Sequence, residues 1–211
     1  MSNFESKLLK NKIRHTVSLS PFLKKLLSDK SLQLSPDMLE KSPKVSNQLI
    51  KLASKNIEEH DFNKHLRLYR RQLLLEIIVR DLSTMGSLAE VVTAITAFAE
   101  TAIVASVEYH KSKLEKLYGI PRDSFGRTLD LHVIGMGKLG GSELNVSSDI
   151  DLIFLYPEDG RTDGGESIEN KFFFKILALK VVDSLQKRTK IGQVFRVDTR
   201  LRPFGSEGPT V

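Results

Sequence analysis

The 211-residue chain contains no cysteine and no tryptophan. Without cysteine there is no disulfide scaffold, no thiolate zinc site and no thiol nucleophile. The sequence also lacks a run of about 18 apolar residues free of charge, the minimum for a membrane span. Its opening, Met1-Ser-Asn-Phe-Glu-Ser-Lys7, has no apolar stretch behind a basic leader. The expectation is a cytoplasmic protein that does not engage a membrane. The five histidines (His15, His60, His65, His110 and His132) show no metal-ligand spacing, and no Ser-His-Asp arrangement is suggested.

What is present is ordinary for a folded domain: 40% hydrophobic and 27% charged residues, on a chain long enough to bury a core. The net charge of +6 invites a nucleic-acid reading. Its distribution weakens that reading, because residues 131–211 carry 11 basic and 11 acidic side chains and so contribute nothing to it. The excess is scattered through the first part, at Lys7, Lys10, Lys12, Lys24, Lys25 and Lys30, as expected of solvated helix surfaces. No aromatic–basic stripe accompanies it, so no nucleic-acid partner is expected.

The first 120 residues read as helical. Pro21, Pro36 and Pro43 break residues 1–45 into short pieces. Asp61 is placed to cap a helix from Phe62 to about Leu82, whose Leu66, Leu73, Leu74, Ile77 and Ile78 recur at helical spacing. Ser87-Leu-Ala-Glu90 is a capping box opening a long helix through Val91, Ile95, Phe98, Ala102, Ile103 and Leu114. Gly119 and Pro121 end it, and the two helices are expected to pack as a hairpin. From about Pro121 the texture becomes mixed. Leu129–Met136 reads as a strand, Asp149–Tyr156 as a strand covered on both faces, Ile168 to about Gln186 as a helix, and Val194–Leu201 as a third strand. The fold class is α+β, divided into a helical region 1–120 and a core 121–211.

The chemistry concentrates between Leu131 and Phe154. Gly135, Gly137 and Gly140 match the dinucleotide fingerprint, but that match alone is weak. A Rossmann oxidoreductase needs a crossover helix before the next strand, and Gly141 to Asp149 leaves no room for one. A Walker loop fails as well, since Lys138 is not followed by Ser or Thr. What fits is a glycine loop followed closely by Asp149-Ile-Asp151 at the mouth of a strand. Residues two apart on a strand face the same way, so the two carboxylates project together. Their repulsion is relieved by a divalent cation, and carboxylate oxygens suit Mg²⁺. A third acid, Asp198, lies in Phe195-Arg-Val-Asp-Thr-Arg-Leu-Arg-Pro203, where alternation puts it on one face with Arg196, Arg200 and Arg202. Taken singly, Asp-x-Asp reads equally as a solvated turn, and Arg200 and Arg202 read as partners of surface acids. Glycine loop, acid pair and third acid in this order favour nucleotidyl transfer.

Gly135-Met-Gly-Lys-Leu-Gly-Gly-Ser-Glu-Leu-Asn-Val-Ser-Ser-Asp-Ile-Asp-Leu-Ile-Phe154, together with the Phe195–Pro209 stretch, closely resembles the glutamine synthetase adenylyltransferase/adenylyl-removing family of the polymerase-β-like nucleotidyltransferase superfamily. The likeness covers about residues 60–211. It implies a small mixed-sheet nucleotidyltransferase core flanked by helices, incomplete at its C-terminus relative to the family. By that resemblance Asp149, Asp151 and Asp198 are catalytic and bind Mg²⁺. Gly137, Lys138, Gly140 and Gly141 hold phosphates of ATP or ADP, and Ser147 and Ser148 frame the metal end. Arg200 and Arg202 are expected to steady the incoming anion. Two cations about 4 Å apart would flank the α-phosphorus in an in-line displacement. The implied partners are glutamine synthetase and a PII-type nitrogen signalling protein. Family members carry an N-terminal unit that removes AMP by phosphorolysis, releasing ADP, and a C-terminal unit that adds AMP from ATP. This sequence looks like the first. The alternative is a catalytically inactive remnant or nucleotide-binding regulatory module.

Overall fold

The computed structural model describes residues 11, 13–29, 31–33 and 40–201. The short pieces near the N-terminus include α1 (Pro21–Leu27), capped by Ser20, whose Oγ accepts the amide of Leu23 at 3.3 Å. A second short helix, α2, spans Gln48–Ala53. The long helix α3 runs Glu59–Leu82, three residues earlier than the expected start. Asp61 therefore does not cap it. Asp61 sits in the first turn, where its carboxylate favours the positive helix end, and Glu58 occupies the cap position without a side-chain bond.

Helix α4 (Leu88–Tyr118) begins and ends as the sequence indicates. Ser87 Oγ accepts the Glu90 amide at 3.3 Å. The reciprocal half of the box is not made, because the Glu90 carboxylate goes to Arg80 and Ser42, both at 2.8 Å. At the other end Gly119 has φ +85°, and a Cβ there would stand 2.0 Å from the Gly164 amide nitrogen. Only glycine fits both demands. Helices α3 and α4 form the expected antiparallel hairpin, with Phe62 stacked on Tyr109 and Tyr69 on Phe98 at centroid separations of 4.2 and 5.7 Å. By length and hydropathy α4 is long enough and apolar enough to cross a membrane, but half of its apolar window is buried in this fold. Phe98, Ala99 and Ala102 are among its fully buried residues.

Beyond α4 come two small sheets. Strands β1 (Pro121–Arg122) and β4 (Arg161–Thr162) pair antiparallel, a sheet the polar stretch Pro157–Glu166 did not reveal. The main sheet has order β2–β3–β5, with β2 at His132–Met136, β3 at Ile150–Leu155 and β5 at Val197–Asp198. All three are shorter than the expected strands. A one-turn helix, α5 (Gly137–Gly140), joins β2 to the turn before β3, and α6 (Asn170–Gln186) lies between β4 and β5.

Strands β2 and β3 are antiparallel, whereas β3 and β5 are parallel through the α6 crossover. Antiparallel pairing across the glycine loop excludes the Rossmann reading, whose first two strands run parallel. The expectation that β3 is covered on both faces is corrected. Ile150, Leu152 and Phe154 are buried in one cluster with Phe173, Phe174, Leu177 and Val181 of α6 and with much of α3 and α4. The opposite face, with Ile134, Met136 and Leu155, lies open to solvent. A parallel β3–β5 pair only two residues long leaves α6 one face to cover, so alternation rather than continuous burial results.

Candidate active site

Asp151 pairs in register with Met136 on one side and with Asp198 on the other. The last residue of β2, the middle acid and the third acid therefore form one row across the sheet. The chain then reverses at Gly137, whose φ is +54° and whose missing Cβ would stand 2.8 Å from Asp151 Oδ2. Gly140 comes equally near the backbone, with its absent Cβ 2.6 Å from the Gly135 carbonyl oxygen. These two glycines are required by close approach, as the fingerprint suggested for a different fold. Leu139 anchors the turn by burial, while Lys138, Gly140 and Gly141 are exposed. Lys138 makes no side-chain bond to another described residue.

The turn that leads into β3 is organised by Asn145. Its Oδ1 accepts the Ser147 amide at 3.1 Å and the Ser148 hydroxyl at 3.0 Å. This is an Asx-type turn, and Asn145 is a residue sequence reading passed over although Asn-x-Ser-Ser carries its signal. Further back, the Leu144 amide donates to Thr96 Oγ1 on α4 at 3.2 Å.

The three acids differ in their surroundings. Asp149, exposed just before β3, receives Arg196 Nε, and Arg196 Nη2 also donates to the Ser147 carbonyl at 3.1 Å. Asp198 is gripped by Arg200, whose Nε donates to its two oxygens at 3.0 and 2.9 Å and whose backbone amide adds a bond at 2.9 Å. Those bonds hold the Asp198 carboxyl down at about 2. Asp151 is half-buried and its carboxylate accepts no hydrogen bond from another described residue; it acts on Arg200 through space. Arg200 is thus the partner of an acid rather than a free anion clamp, and Arg202 lies outside the described residues.

Asp149, Asp151 and Asp198 are brought to one sheet edge, but among the described residues no three His, Asp or Glu side chains stand close enough to hold a metal ion. The two outer carboxylates are instead each bonded to an arginine, Asp149 to Arg196 and Asp198 to Arg200. The donor chemistry nonetheless suits a hard divalent cation: three carboxylates and nearby hydroxyls, all oxygen, with the central one unbonded.

A sequence profile of the glutamate-ammonia ligase adenylyltransferase family matches residues 4–211. Among similar proteins is a bifunctional glutamine synthetase adenylyltransferase/adenylyl-removing enzyme of Aromatoleum aromaticum, 41% identical over 98% of this chain and 22% of that protein. Proteins of the same name from Nitrosomonas eutropha and Chromobacterium violaceum are 40% and 47% identical, over 90% and 69% of this chain and 21% and 16% of their own lengths. The chain thus spans about a fifth of the length of the curated relatives it matches. With the profile covering nearly all of its residues, the chain belongs to the glutamate-ammonia ligase adenylyltransferase family.

Proposed function

We propose that this chain carries a nucleotidyl-transfer centre that moves AMP on or off a tyrosine of glutamine synthetase, in the removing direction for this unit. The observation that supports it best is the register of Asp151 with Asp198 beside Gly137, which sets two carboxylates side by side where the chain bends tightly. The relatives' name supports the substrate.

In this reading Asp149, Asp151 and Asp198 hold Mg²⁺, and Arg196 and Arg200 balance the acids' charge in its absence. When bound, the cation supplies neutralisation of the charge that builds on the phosphoryl oxygens. The chain's own residues do the positioning. The glycine turn at Gly137, Lys138, Gly140 and Gly141 lets phosphate oxygens approach the backbone, and the Ser147–Ser148 turn fixes Asp149 just ahead of the strand. In removal, an oxygen of hydrogen phosphate forms the new bond to the phosphorus of tyrosine-linked AMP. The bond to the tyrosine oxygen breaks, the phosphate's proton passes to that oxygen, and ADP leaves. A PII-type signalling protein as regulator belongs to the same reading.

The test is Asp151→Asn. We expect AMP removal from adenylylated glutamine synthetase to fall by at least about a thousandfold, a loss typical of an essential electrostatic group, with an unchanged thermal melt. Undiminished turnover refutes the assignment. A second reading, a regulatory module that binds nucleotide without turnover, draws on the arginine grip on Asp149 and Asp198. Mg²⁺-dependent stabilisation by ADP with no AMP transfer would favour it.

A further inference from the structure

Helix α3 carries Arg67, Arg70, Arg71 and Arg80. Arg67 is buried and donates to the carbonyls of Asn63, Lys187 and Gly192 at 2.7, 2.6 and 3.2 Å. Arg71 pairs with Asp29 at 2.7 Å and Arg80 with Glu90 at 2.8 Å. Arg70 differs from all three. Among the described residues it has no ion pair, and its one hydrogen bond is a 3.5 Å contact from Nη2 to the Val146 carbonyl. At that length most of a guanidinium's five donors remain unused. The group lies 5.7 Å from the centroid of the Phe195 ring, and burial lowers its pKa with no carboxylate opposing.

Arg70 lines a cavity of about 380 Å³. Ser147, Ser148, Gln193 and Arg196 form its polar wall, and Phe22, Leu74 and Ile78 form an apolar one. Arg196 holds Asp149 with Nε and the Ser147 carbonyl with Nη2, so it spans the turn between the cavity and the acid row. A half-buried cation without a counter-charge costs desolvation energy that a neutral ligand would not recover. An oxyanion would recover it through charge-assisted, forked bonds. The cavity includes neither Asp151 nor Asp198.

We propose that this cavity is a metal-independent anion site, distinct from the acid row, that takes a phosphoryl group borne on a small apolar body. Arg70 is its anchor. Arg196 and the Ser147–Ser148 turn form its polar rim, and Phe22, Leu74 and Ile78 receive the apolar part.

Calorimetric titration with inorganic phosphate and with phenyl phosphate, both in EDTA, tests the assignment. Phenyl phosphate should bind at least ten times tighter than phosphate, and Arg70→Gln should weaken both at least tenfold. Asp151→Asn should leave both affinities unchanged, so this site and the proposed AMP-transfer centre fail separately. Wild-type affinity in Arg70→Gln, no binding of either probe, or binding lost in EDTA overturns the proposal. Equal affinity of the two probes overturns its apolar half. Should Arg70→Gln not fold, phenylglyoxal footprinting of the wild type decides: phenyl phosphate must protect Arg70 from modification, and unaltered labelling of Arg70 overturns the site.

Discussion

Asp151 Oδ2 lies 2.8 Å from where a Cβ on Gly137 would stand, closer than a side chain there could tolerate. The carboxylate and the bend of the loop are therefore one steric unit, and the loop's φ of +54° is tolerated by glycine at little cost. Gly137→Ala should cost about 1–2 kcal/mol in urea unfolding from the left-handed backbone alone. Because a carboxylate can swing aside, the clash itself is relieved by displacing Asp151. AMP transfer should then fall by more than the stability loss explains, which assays at a temperature well below the melt can resolve.

The grip of Arg200 on Asp198 predicts a pH signature. The carboxyl is held at about 2 by the Arg200 side chain and amide, below its unfolded value near 4. The pair's contribution to stability is accordingly complete above about pH 4 and is lost as pH falls toward 2. In Arg200→Gln the Asp198 carboxyl should titrate closer to 4. Carboxyl-carbon NMR titration reads this directly, and an unmoved midpoint would show that the Arg200 side chain is not the cause.

His110 gives the opposite kind of group the same sign. It is buried between α4 and α6, with Nε2 2.7 Å from Ser184 Oγ, and burial lowers it from 6.5 to about 4. The unfolded chain binds the proton first, so stability should fall as pH drops from about 6.5 toward 4, by a total on the order of 3 kcal/mol. His110→Gln should flatten that limb in urea unfolding curves measured across the range. A limb of equal slope in the variant would assign the loss to other groups.

Gly119 and Gly164 meet backbone to backbone where α4 gives way to the β1–β4 pair. A Cβ on Gly119 would stand 2.0 Å from the Gly164 nitrogen, and one on Gly164 would stand 2.5 Å from the Tyr118 carbonyl. Neither obstacle is a flexible side chain. Gly119→Ala, which adds a φ of +85°, should destabilise by roughly 2–4 kcal/mol. Thermal melts of both single variants and of the double would show a non-additive loss, since the two sites share one contact.

The pattern of what could be read in advance follows from the range of the interactions. Ser87 and Gly119 marked the ends of α4 because capping is local. Asp61 misled because Glu59 and Asp61 both suit a first turn, and only packing of Phe62 against Tyr109 fixes where that turn lies. The acid pair and glycine loop were visible in 17 consecutive residues, Gly135 to Asp151; the short link between them excluded a crossover helix, and the mixed sheet was what the family resemblance implied. Pairing of Arg200 with an acid was among the readings, since it stands two residues from Asp198, but the partner of Asp149 was not visible. Arg196 reaches Asp149 across 47 positions of sequence, a meeting set by the β3–β5 register that no local pattern encodes. The open sheet face escaped for a related reason, because an apolar strand such as Asp149–Tyr156 reads as covered on both faces until the number of covering helices is known.

The bond from Leu144 to Thr96 ties the glycine turn to the third turn of a 31-residue helix, roughly 46 Å long. Leu139 and Leu144 are buried in one cluster with the apolar face of that rod, so packing and the bond together couple the turn to it. A force that tilts α4 therefore carries the approach to Asp149 with it.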